Sequence, residues 1–194
     1  MFSKTTVGYF NKKPIDMYRS KQGEKRVFFS GGIHHYENTR NHLHRLVQGE
    51  GIEGIDLLVV PEMNPGNFLG LNRCFNSLDM PNEYSFLRNL QPLDLAVDFH
   101  ADFEATKFYM YERRKIGERR FGEQLFDRLY IPCRGYGVVE PEPEHTLEEI
   151  QFLLGARYSI TTETPQGAFP NIKEEEEFNH FLAMLILEKA REIL

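Results

Sequence analysis

The feature that most constrains this chain is a set of short, continuous apolar runs, each followed by a longer stretch of mixed composition. Residues 26–30 (RVFFS), 55–60 (IDLLVV) and 93–99 (LDLAVDF) are too short for buried helices and too uniformly apolar for a sheet with one wet face. They read as strands buried on both sides. Residues 158–162 (YSITT) form a fourth such run, and residues 107–111 (KFYMY) alternate as a half-exposed strand does. Helical stretches fall between and after them, at residues 38–48, 117–129, 146–154 and 172–194. In the last, Phe178, Phe181, Leu182 and Leu185 mark one face. This alternation predicts an α/β fold, a three-layer sandwich whose mostly parallel mixed sheet carries helices on both faces. In such sheets, ligands bind where strands end and loops begin.

With 194 residues, 41% of them hydrophobic, and neither a repeat nor a Pro/Gly/Ser-rich linker, the sequence predicts a single domain over residues 1–194. Its net charge is -6, from 29 acids against 23 scattered bases, so the attraction that nucleic-acid binding needs is missing. No run is long enough to cross a bilayer, and the first residues lack the apolar stretch of a secretory leader. A cytoplasmic protein with no membrane partner is the expectation. Cys74 and Cys133 are too few for a disulfide framework and lack metal-site spacing, which agrees with a reducing compartment.

The chemistry-bearing residues follow the strands. After the first run the chain reads Gly31-Gly32-Ile33-His34-His35-Tyr36-Glu37, and a His and a Glu three apart at a helix start project the same way. His35 is the neighbour of His34 but lacks the spacing to Glu37. The run LDLAVDF ends on His100, with Asp98 two residues earlier on the same side of the strand. Two imidazoles and a carboxylate suit zinc, and three protein ligands leave a position open for chemistry. Asp98 is placed to accept a hydrogen bond from a ligating imidazole. The fourth run leads into Glu163, directly before a Pro/Gly turn. There it either caps the turn or serves as a general base that takes a proton from attacking water. Asn64-Pro65-Gly66 reads as an ordinary turn. Arg73, with Asn72 beside it, could hold a carboxylate through its planar fork or pair with a nearby acid on the surface.

Taken in order, GGIHHYE, PEMNPG, LNRCF, VDFH and TTETPQG resemble the zinc carboxypeptidase superfamily, including its succinylglutamate desuccinylase and aspartoacylase branch. The resemblance spans residues 31–167. It implies a phosphorylase/hydrolase-like sandwich and a single catalytic domain. One Zn2+ per chain would be held by His34, Glu37 and His100, the substrate carboxylate by Asn72 and Arg73, and catalysis would fall to Glu163. The implied reaction is hydrolysis of a peptide or amide bond beside a free carboxylate, in a small peptide or an N-acyl amino acid. A metal-binding module without turnover is the reading from another class. Tyr136, in RGYG, matches the family's mobile substrate-binding tyrosine, or else marks a simple turn. One departure stands out: residues 64–71 contain no counterpart of the family's carbonyl-polarising arginine, which leaves Arg134 and Arg157 as candidates from other loops.

Overall fold

The structure, a computed structural model, describes residues 1–34, 38–65, 82–126, 136–139 and 151–194. Its strands are β1 (Ser3–Phe10), β2 (Lys13–Lys21), β3 (Gly23–Gly31), β4 (Gly54–Val60), β5 (Leu95–Asp102), β6 (Phe108–Arg114), β7 (Tyr136–Val139) and β8 (Tyr158–Pro165). The helices are α1 (Thr39–Leu46), α2 (Phe86–Asn89), α3 (Phe121–Phe126) and α4 (Ile172–Ile193), and residues 151–153 are also helical. All eight strands join one sheet in the order β1-β2-β4-β3-β5-β8-β6-β7. The four central strands, β4, β3, β5 and β8, are mutually parallel, while β1, β2 and β6 pair antiparallel with their inner neighbours.

The apolar runs are continuous because the central strands are covered on both sides. Val27, Phe29, Leu57, Val59 and Phe99 pack with Leu43 of α1 and with Leu182 and Ile186 of α4. Their neighbours Phe28, Leu58, Val60 and Ala96 point the other way, into a second cluster with Tyr84 and with Phe86 and Leu87 of α2. Side chains two apart on a strand share a face, so each run feeds both clusters at once. This is the α/β mixed sheet that the alternation predicts. Among the described residues its second face is covered by short elements, the 3-10 turn Asn82–Tyr84 and α2.

Two elements depart from the expectation. The β1–β2 hairpin has no counterpart among the apolar runs, because its residues are exposed or half-buried along most of both strands. Its turn carries Asn11 at φ 48 and Lys12 at φ 64, the pair of positive φ values that a two-residue hairpin turn of matching twist requires. Tyr136 opens strand β7, in register with Phe108 of β6, instead of lying in a free turn.

The topology also creates a crevice. β3 is flanked by β4 on one side and by β5 on the other, so the chain leaves β3 and β5 in opposite directions. Connections that diverge in this way open a cleft at the carboxyl ends of the two strands, the usual ligand position in open α/β sheets.

Candidate active site

His34 reaches the crevice through a tight turn. Beyond the end of β3, Gly32 adopts φ +64, and a Cβ on it would lie 3.0 Å from the Pro61 carbonyl oxygen and 3.2 Å from the Glu62 Cα. Only glycine meets both demands at this position. The Gly32 N–H donates to the Thr39 hydroxyl at the start of α1 (3.2 Å). The same loop is stitched to the one after β4: Met63 N–H donates to the Gly31 carbonyl (2.9 Å), and Asn64 N–H donates to that of Gly32 (3.1 Å). The Asn64 side chain, 2% exposed, donates to the carbonyl of Ile33 at 2.8 Å. Asn64 therefore does more than make a turn: it fixes the peptide that precedes His34. Its burial and its carbonyl partner are brought in by tertiary structure, which no local motif displays.

His100 lies inside β5 and is 3% exposed. Its Nε2 is 2.7 Å from Asp98 Oδ2, and the Ser30 hydroxyl of β3 donates to the other oxygen, Oδ1, also at 2.7 Å. A carboxylate facing Nε2 favours the tautomer with the proton on that nitrogen, which makes Nδ1 the lone-pair nitrogen. Parallel pairing sets Glu163 of β8 opposite His100, and antiparallel pairing sets Tyr109 of β6 opposite Glu163. Paired residues project from the same face, so His100, Glu163 and Tyr109 form one row across three strands. Glu163 is half-buried.

The Tyr109 hydroxyl donates to Asp102 Oδ2 at 2.7 Å, while Asp102 Oδ1 accepts from the backbone N–H groups of Glu104 (2.8 Å) and Ala105 (3.2 Å). Burial, the bond to Asp102 and the nearby charge of Glu163 all push the Tyr109 hydroxyl above its ordinary pKa, so it keeps its proton. Sequence reasoning missed Tyr109 because its place beside Glu163 depends on strand register, which the alternating run KFYMY does not specify.

The remaining site residues named from the sequence are distributed differently. Glu37, Asn72, Arg73 and Arg134 lie outside the described residues, as does the side chain of Tyr136. Arg157 precedes β8, at the opposite end of that strand from Glu163. Its guanidinium is engaged bidentately with Glu118, at 2.7 and 2.9 Å. Arg157 is thus removed as a substitute for the carbonyl-polarising arginine.

No protein-family model matches this sequence, and no well-characterised protein matches it at the sequence level. Solved structures do match. A protein of Shewanella baltica OS155, assigned provisionally as a metallopeptidase, aligns with a TM-score of 0.75 at 20% identity, over 96% of this chain and 85% of its own. A metallo-carboxypeptidase from Pseudomonas aeruginosa, solved in complex with (2-guanidinoethylmercapto)succinic acid, aligns at 0.64 and 19% identity over 92% of this chain and 62% of its own. The ectoine utilization protein EutE of Ruegeria pomeroyi, solved with product bound, aligns at 0.65 and 19% identity over 97% of this chain and 66% of its own. The chain has the metallocarboxypeptidase fold.

For a metallocarboxypeptidase fold the relevant question is whether the donors present suit a metal ion. The His34 and His100 rings stand edge to face at 72°, with centroids 5.2 Å apart. Two imidazoles on one tetrahedral zinc, each with a Zn–N bond of about 2.0–2.1 Å, have ring centres roughly 5 Å apart. The pair therefore fits a shared ion. Among the described residues no group of three or more His, Cys, Asp or Glu side chains makes a complete set, and the third candidate ligand, Glu37, is not one of them.

Proposed function

We propose that this chain is a zinc-dependent hydrolase that cuts a peptide or amide bond next to a free carboxylate, as a single catalytic domain. One observation carries the reading: His34, His100 and Glu163 arrive from three separate segments at one strand-end crevice, with the two rings 5.2 Å apart and Glu163 in register with His100.

His34 and His100, with Glu37, would hold the ion. When bound, it supplies Lewis-acid polarisation of the scissile carbonyl and lowers the pKa of water at the site. Asp98, bonded to Nε2, would orient His100 and favour the tautomer whose Nδ1 lone pair is open to the ion. Glu163 takes a proton from the attacking water at its carboxylate oxygen and hands it to the leaving nitrogen. Asn72 and Arg73 anchor the substrate carboxylate through paired N–H donors. Tyr136 would contribute to binding the substrate. The succinic acid ligand of the Pseudomonas aeruginosa structure supports a carboxylate-bearing substrate. A second reading, an N-acyl-amino-acid deacylase, is favoured by the likeness to EutE together with the LNRCF and ETPQG motifs.

The test is Glu163→Gln, which keeps the size of the side chain but removes the basic oxygen pair. Zinc measured by elemental analysis should stay near one per chain, while turnover of blocked dipeptides or N-acyl amino acids should fall at least the roughly 10²–10⁴-fold typical of a positioned acid/base. A wild-type protein that binds zinc and hydrolyses neither class would sink the proposal in favour of a binding module. Retention of most of the rate in the variant would remove Glu163 from the chemistry.

A further inference from the structure

Strand order places β8 between β5 and β6, so the hydrogen bond from Tyr109 to Asp102 spans the strand that carries Glu163. His100 and Asp102 are two apart on β5 and share a face, so this bridge lies on the same face of the sheet as the His100–Glu163–Tyr109 row. It is anchored at its far end, because Asp102 is itself fixed by the Glu104 and Ala105 amides. A half-buried phenol is thereby held beside the proposed general base.

A phenol has one proton, and here that proton is committed to a carboxylate oxygen 2.7 Å away. Its oxygen also shares a side-chain hydrogen bond with Tyr111, which leaves one further lone pair to accept, and donation to an anion makes it a stronger acceptor. The group cannot replace a carbonyl-polarising arginine, since that role requires a donor. What it can receive is an N–H. In an amide substrate the nearest N–H belongs to the nitrogen that leaves, the atom to which Glu163 delivers its proton.

We propose that Tyr109, held by Asp102, accepts a hydrogen bond from the N–H of the scissile amide and so orients the leaving nitrogen toward Glu163. This rests on the hydrolase reading and adds a specificity to it: the site distinguishes amides from esters of the same shape. An ester has no N–H to offer.

The experiment compares benzoylglycyl-phenylalanine with benzoylglycyl-phenyllactate, and N-acetyl-phenylalanine with O-acetyl-phenyllactate, on the zinc-loaded full chain. Tyr109→Phe should lower kcat/KM on the amide about tenfold or more and on the matching ester less than about threefold. Asp102→Asn should shift the same ratio in the same direction, and it decides the matter should Tyr109→Phe fold poorly or lose zinc. Equal losses on amide and ester, or no loss on either, overturn the inference and leave the hydrolase reading standing. A wild-type protein that turns over none of the four compounds overturns both.

Discussion

Asp98 is the residue at which the metal assignment can be tested without a substrate. Buried at 3% exposure, it spends one oxygen on His100 and the other on Ser30, so it ties strand β3 to strand β5 directly behind the proposed ligands. Replacing such a carboxylate typically costs about 10–100-fold in metal affinity, because the imidazole loses both its orientation and its preferred tautomer. Asp98→Asn is expected to weaken zinc binding by that amount in competition with a chromogenic chelator. Ser30→Ala should act in the same direction but less strongly, since it loosens Asp98 without removing it. Unchanged affinity in both variants would reduce the pair to a structural bond between strands. Asp98 was legible in the sequence because it stands two residues from His100 on one strand. Ser30 was not, nor were Asn64 and Tyr109. Each acts through a partner brought in by register or by loop packing, and a one-dimensional motif carries neither.

At the scale of elements, what could be read from the sequence was what hydrophobicity alone determines. β3, β4 and β5 are buried on both faces, so their apolar runs announce them without reference to any partner. The β1–β2 hairpin is held differently. Asp56 of β4, 2% exposed, accepts two bonds from Arg19 of β2 at 2.7 and 2.6 Å and a third from Arg26 of β3 at 3.1 Å. Polar clamps of this kind leave no period in the sequence. Burial works against the charge of Asp56, but the hydrogen bonds from Arg19 and Arg26 outweigh it and hold the carboxyl below its usual range. With its folded pKa lowered, Asp56 contributes stability that is fully present above the ordinary carboxylate pKa and is lost as pH falls through the lowered value. Asp56→Asn should therefore destabilise the neutral-pH protein by about 1.5–3 kcal/mol, the range for hydrogen bonds to a charged group. In urea melts the gap between the two proteins should close as the solution is acidified. A gap independent of pH would assign the loss to packing rather than to charge.

For the molecule as a whole, the acid limit of stability is expected to lie at the seam between α1 and α4. His42 of α1 is 1% exposed and packs edge to face on Phe99 of β5, with ring centroids 4.7 Å apart at 67°. Among the described residues neither of its ring nitrogens has a hydrogen-bond partner. Burial foremost, then the charge of His180 on α4, lower its pKa from 6.5 to about 3. His180 is itself lowered, by burial foremost and then by Arg45. The folded protein thus refuses a proton that the unfolded chain accepts. Between those two pKa values unfolding takes up that proton, so stability is complete above about 6.5 and falls by about 1.4 kcal/mol per pH unit below it. Against a typical total of about 5–15 kcal/mol, two units of acidification are a large fraction. His42→Leu fills much the same volume and has nothing to protonate. It should match or exceed the wild type at pH 7.5, and its advantage should grow by roughly 4–8 °C in thermal midpoint by pH 5, given about 2–4 °C per kcal/mol for a chain of this size. The difference between the two proteins isolates His42 together with its coupling to His180. An advantage that stays constant from pH 7.5 to pH 5 would mean that water reaches His42, and that the helix seam does not set the acid limit.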